Sequence, residues 1–141
     1  MGGRGAYSQK GGFKIQQYEA TGEVIGGIKV IRDKRDKPGV KGSFKPPEMS
    51  NTPGTAYIFQ SHNKYKNLLT YGMDRSSKQS YDLTHSHTNR PKNGKVEKLK
   101  LGVVHVHNIR GGRENNVRYM TKKEIKKYGH IMRRLGVKVR E

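Results

Sequence analysis

Histidines in pairs are the residues of this chain best suited to do chemistry. His85-Ser86-His87 and His105-Val106-His107 start 20 residues apart, and they account for four of the six histidines. Along a strand, residues i and i+2 project from one face, so each pair presents two imidazoles side by side. Imidazole is the side chain whose ordinary pKa lies near neutrality, which suits it to moving protons. If the two pairs converge, one histidine can serve as general base and another as general acid. That division of labour is the one needed to cleave RNA without metal: the base takes the 2′-hydroxyl proton, the acid protonates the departing 5′-oxygen, and a cation stabilises the phosphorane. Arg110, Arg113 and Arg118 are the candidate cations. Dependence on a 2′-hydroxyl would make RNA, not DNA, the substrate.

Three other readings stay open for the same side chains. His85, His87, His105 and His107 could ligate a transition metal as neutral imidazoles on neighbouring strands. Against this, Asp82 alternates away from the face of His85 and His87, Glu97 falls in a polar loop, and there is no cysteine. The histidines could instead be hydrogen-bonded structural residues, or simple phosphate contacts on a basic surface. No cofactor is expected.

The elements that must position these residues are strands at 79–87 and 101–107. On the first, Tyr81, Leu83, His85 and His87 share a face; on the second, Leu101, Val103, His105 and His107 do. Val104 and Val106 would then be covered on the reverse face by the C-terminal helix. Further strands are expected at 13–19 and 23–32, joined by a turn at Thr21-Gly22, with Gly26-Gly27 marking a bulge or a close backbone approach. Strands at 55–61 and 65–71 follow, and Asp74-Arg75-Ser76-Ser77 reads as a hairpin loop before 79–87. Segments 88–98 and 109–116 read as loops. The clearest helix begins at the capping box Thr121-Lys122-Lys123-Glu124 and ends at Gly136, with Ile125, Tyr128, Met132 and Leu135 on one stripe. His130 falls on its solvated basic side. The expected fold class is α+β: an antiparallel sheet of five to seven strands with one C-terminal amphipathic helix packed on it. Residues 1–12 read as a flexible basic arm, and 13–141 as a single domain with a mobile Pro/Gly-rich loop at 33–54.

Composition narrows the partners. Thirty Lys and Arg against eleven Asp and Glu give a formal charge of +19, and a charge of this size points to phosphate. Residues 109–141 hold eleven basic and three acidic residues, so +8 of the charge lies in that segment. Nucleic acid, most readily RNA, is therefore the expected partner. Arg90, Lys92, Arg110, Arg113, Arg118, Lys122 and Lys126 are the candidate phosphate contacts. The absence of cysteine excludes disulfides, zinc ribbons and thiol nucleophiles. No apolar run is long enough to span a membrane, and the start has no secretory h-region, so cytoplasmic or virion residence is expected and no membrane partner. No paired carboxylates, P-loop or dinucleotide fingerprint is present.

The segments Met1-Gly2-Gly3-Arg4-Gly5-Ala6, Gly54-Thr55-Ala56-Tyr57-Ile58, Leu69-Thr70-Tyr71, Lys78-Gln79-Ser80-Tyr81-Asp82-Leu83 and Met120-Thr121-Lys122-Lys123-Glu124, with the histidine clusters, resemble small prophage proteins of Gram-positive bacteria. Those proteins are encoded near, or fused to, Mu-type minor head proteins. The second half, Asp82-Leu83-Thr84-His85-Ser86-His87 followed by His105-Val106-His107, also resembles polymorphic-toxin ribonucleases of the barnase–EndoU–colicin–RelE-like class. The resemblance implies a phage-associated, toxin-type ribonuclease working without metal, with phage head proteins and an acidic immunity or antitoxin protein as partners. It equally accommodates a non-enzymatic nucleic-acid-binding or virion accessory protein. The chain differs from the toxin fold in placing its strands first and its helix last.

Overall fold

The computed structural model describes residues 6–7, 17–42, 44–50, 52–83, 87–89, 97–99, 103–110 and 113–139. In chain order the elements are β1 (Ala6–Tyr7), β2 (Tyr18–Ile25), β3 (Ile28–Asp33), β4 (Met49–Ser50), β5 (Ala56–Ser61), β6 (Lys64–Tyr71), β7 (Lys78–Asp82), β8 (His87–Asn89), β9 (Glu97–Leu99), β10 (His105–Arg110), β11 (Arg113–Tyr119) and α1 (Lys122–Arg134). Seven strands form one sheet in the order β11-β10-β7-β6-β5-β3-β2. All neighbours in it run antiparallel except β3 and β5, which are parallel. The α+β class is therefore as expected, with one parallel pair inside a mostly antiparallel sheet. Two small pairs, β1 with β4 and β8 with β9, stand outside it.

The first hairpin interchanges the expected turn and bulge. Gly26 and Gly27 both have positive φ, 57° and 80°, the conformation of a two-residue hairpin turn that glycine adopts without a Cβ clash. The ladder is instead broken between Ala20 and Val24. There the Thr21 hydroxyl donates to the Val30 carbonyl (3.3 Å) and accepts from the Glu23 N–H (3.2 Å). The close approach at Gly26 is real: a Cβ there would lie 2.9 Å from Ile131 Cγ1. In the segment read as a loop at 109–116, the described residues pair as antiparallel strands, with Arg110 opposite Arg113. Likewise, strands β8 and β9 occupy the two ends of the stretch read as a loop at 88–98.

Alternation along the strands sends successive side chains to opposite faces. One face carries the row Val30, Ile58, Leu68, Tyr81 and Val106, each residue directly opposite the next on neighbouring strands. With Ile131 and Met132 of α1 this row forms the larger core, and Val104 and Val106 lie beneath the helix as expected. The helix starts where the sequence says it should. Thr121 accepts from the Glu124 N–H at 3.2 Å, the Glu124 carboxylate accepts from the Thr121 N–H at 2.9 Å, and Gly136 past the end has φ +79°.

The other face has a second core of Tyr18, Ile31, Tyr57, Phe59, Leu69 and Tyr71. The long loop at 33–54 is held to it. Tyr18 donates to the Lys45 carbonyl (2.8 Å), Tyr71 and Lys78 both donate to the Pro47 carbonyl, and Ser50 bonds Tyr57 (3.2 Å). Phe44 packs against the same cluster. Among the described residues no helix is long and apolar enough to cross a membrane.

Candidate functional site

On the face away from α1, the row next to the helix-covered one runs Ile31, Phe59, Asn67, Asp82, His105. It begins apolar and turns polar at β6. Asp82 and His105 are direct cross-strand partners on β7 and β10, and His107 follows two residues along, opposite Ser80. The ladder thus brings a carboxylate and two imidazoles onto one patch of one face. Ligand atoms of the three residues all lie within 4.8 Å of one another.

Asp82 Oδ2 sits 3.5 Å from His105 Nε2 and 3.7 Å from His107 Nε2. The two rings are 5.2 Å apart between centroids and tilted by 55°. Both contacts to Oδ2 exceed ordinary hydrogen-bond length, and the two imidazoles converge on that one oxygen. The His105 side chain is 0% exposed, Asp82 9% and His107 14%. Beside them Asn67, opposite Asp82, donates through Nδ2 to Ser80 Oγ at 3.0 Å.

The site residues expected from sequence are distributed as follows. His105 and His107 come together. His85 lies outside the described residues, and His87 is placed by its backbone alone, in β8 opposite Leu99 of β9, with β8 near β11. The alternation that argues against Asp82 as a ligand takes it away from the face of Tyr81 and Leu83. His105 and His107, however, lie on that same far face, while Tyr81 and Leu83 belong to the helix side. The missing signal was register: nothing in the sequence pairs residue 82 with residue 105. The full burial of His105 also limits which expected catalytic histidine can meet a phosphodiester, leaving only the His107 side of the cluster open.

The candidate cations differ in their surroundings. Arg118, one of the expected phosphate contacts, is held by Glu124, Nη1 to Oε1 at 2.6 Å and Nη2 to Oε2 at 3.2 Å. Tyr81 donates to the same carboxylate at 2.7 Å. Burial alone would raise the Glu124 carboxyl, but Arg118, the Thr121 N–H and the Tyr81 hydroxyl outweigh it and hold the pKa to about 2. Arg110 is exposed. It borders a cleft of about 410 Å³ with Thr70, Ser77, Lys78, Gln79 and Asn108, at the end of the sheet. There Gln79 donates to Asn108 Oδ1 at 3.1 Å. Arg113 belongs to β11, and its side chain is not described; Arg90 and Lys92 lie outside the described residues. Lys122, Lys123, Lys126, Lys127, Arg133 and Arg134 of α1 are all exposed, as is His130. No family model, curated protein or solved structure matches the chain.

Proposed function

We propose that this protein binds nucleic acid, with the phosphodiester backbone lying along the exposed face of α1 towards the Arg110 cleft. One observation carries the reading: all six Lys and Arg of the helix face solvent, while its only acid, Glu124, is already neutralised by Arg118. The apolar stripe of the same helix is spent on the core, so the basic face is left for a partner. Such a face recognises phosphate, not sequence. On this reading the protein resides where nucleic acid is, in a bacterial cytoplasm or a phage particle.

The test is binding of a fluorescent single-stranded RNA measured across a salt series. Each phosphate contact contributes a slope of about 0.7 in log K against log salt for single strands. Replacing Lys126, Lys127, Arg133 and Arg134 with alanine should flatten that slope by about 3. An unchanged slope would remove the helix from the interface.

Cleavage of the bound RNA is a second reading, favoured by the solvent-facing edge of His107 beside Asp82. There His107 would take the 2′-hydroxyl proton and Asp82 would stabilise the imidazolium. It requires cleavage that survives EDTA and disappears in His107→Ala.

A further inference from the structure

The second and deeper feature of the molecule is the polar end of the row on the far face, and it stands independently of nucleic-acid binding. We propose that Asp82, His105 and His107 form a site for one divalent first-row transition ion. Three observations meet there.

The donors are fixed before any ion arrives. Asp82 and His105 are paired across β7 and β10, and His107 is the next residue on the same face. The hydrogen-bonded ladders on both sides of these strands hold their backbones. The spacing also fits. Two donors each about 2.1 Å from a tetrahedral ion lie about 3.4 Å apart, and the carboxylate oxygen is 3.5 and 3.7 Å from the two imidazole nitrogens. Small side-chain rotations close the remaining gap.

Burial is the third observation. Where the same row holds Ile31 and Phe59 three and two strands away from Asp82, it places a carboxylate and an imidazole that solvent hardly reaches. In such a shielded place the attraction between a carboxylate and a divalent cation is stronger than at an open surface.

The donor set selects the ion class. Two imidazole nitrogens and one carboxylate oxygen suit zinc, cobalt, nickel or ferrous iron, whereas calcium and magnesium want oxygen alone. Three protein ligands leave a fourth position, on the side where His107 meets solvent. That is the arrangement of a site that keeps a water or takes an exogenous ligand. Asn67 and Ser80, directly opposite Asp82 and His107 on the same face, are the neighbours placed to orient those ligands.

The experiment is titration of the untagged, EDTA-dialysed full chain with Co²⁺, read by visible d–d absorption, followed by displacement with Zn²⁺. One Co²⁺ per chain with the intense bands of low coordination number is expected. Asp82→Asn and His107→Ala should each weaken binding by at least about 100-fold, since even supporting partners of a ligand are worth 10–100-fold. His62→Ala and His130→Ala, which change exposed histidines elsewhere, should leave affinity unchanged. His105→Ala is informative only if circular dichroism shows it folded, so the isosteric Asp82→Asn and the partly exposed His107 carry the decision. The proposal is overturned if the wild type takes up no stoichiometric ion. It is equally overturned if folded Asp82→Asn and His107→Ala bind as tightly as wild type, or if binding follows His85 and His87 instead.

Discussion

Two rows of residues cross the sheet side by side, one residue apart on every strand, and they have opposite characters. Val30, Ile58, Leu68, Tyr81 and Val106 face α1 and are apolar throughout but for one tyrosine hydroxyl. Ile31, Phe59, Asn67, Asp82 and His105 face away and change from apolar to ionisable halfway across. Both rows are buried at β7 and β10. Burial is thus not what separates them. The helix-side row holds the fold together; the polar half of the other row gives up apolar burial for donors, which is why the metal site is proposed there.

The largest expected effect lies in the helix-side row. Ile58→Ala removes a fully buried side chain from that row and should cost about 2–5 kcal/mol in denaturant unfolding. A loss under 1 kcal/mol would mean this row is not the structural one.

Next comes acid. The folded Glu124 pKa of about 2 lies below its ordinary 4.5, so its contribution is complete above that ordinary value and lost as pH falls towards 2. The loss should be on the order of 3 kcal/mol, and Glu124→Gln should flatten this part of the pH–stability curve. Equal acid sensitivity in the variant would show that other carboxylates dominate.

The smallest effect concerns the start of the helix that covers the apolar row. Thr121→Ala removes the N-cap acceptor and should cost about 1 kcal/mol, measured by thermal unfolding.

How much of this could be read from sequence follows from the range of each signal. The capping box, Gly136 and the burial of Val104 and Val106 are local or periodic features, and the structure shows each. So is the shared face of His105 and His107. Register between strands distant in sequence is not local, because periodicity assigns faces within a strand but does not align one strand with another. Hence the pattern within one strand does not bring Asp82 to His105 and His107, nor does it show the parallel β3–β5 pair. The interchange at the first hairpin has a different cause. Thr21-Gly22 and Gly26-Gly27 both carry turn residues, and the choice falls on the doublet because both of its residues take positive φ.

The contrast between the rows is tested most directly by replacing the donors with apolar residues of the neighbouring kind. Denaturant unfolding of wild type and of an Asp82→Val, His105→Leu double variant should be compared in EDTA and in Zn²⁺. In EDTA the variant should match or exceed wild type, as apolar replacements of buried ionic groups often do, by up to about 4 kcal/mol. Zn²⁺ at 100 times its dissociation constant should stabilise wild type alone, by about 2.7 kcal/mol. Equal stabilisation of both proteins by Zn²⁺, or none of either, would contradict the assignment of the polar half-row to metal binding.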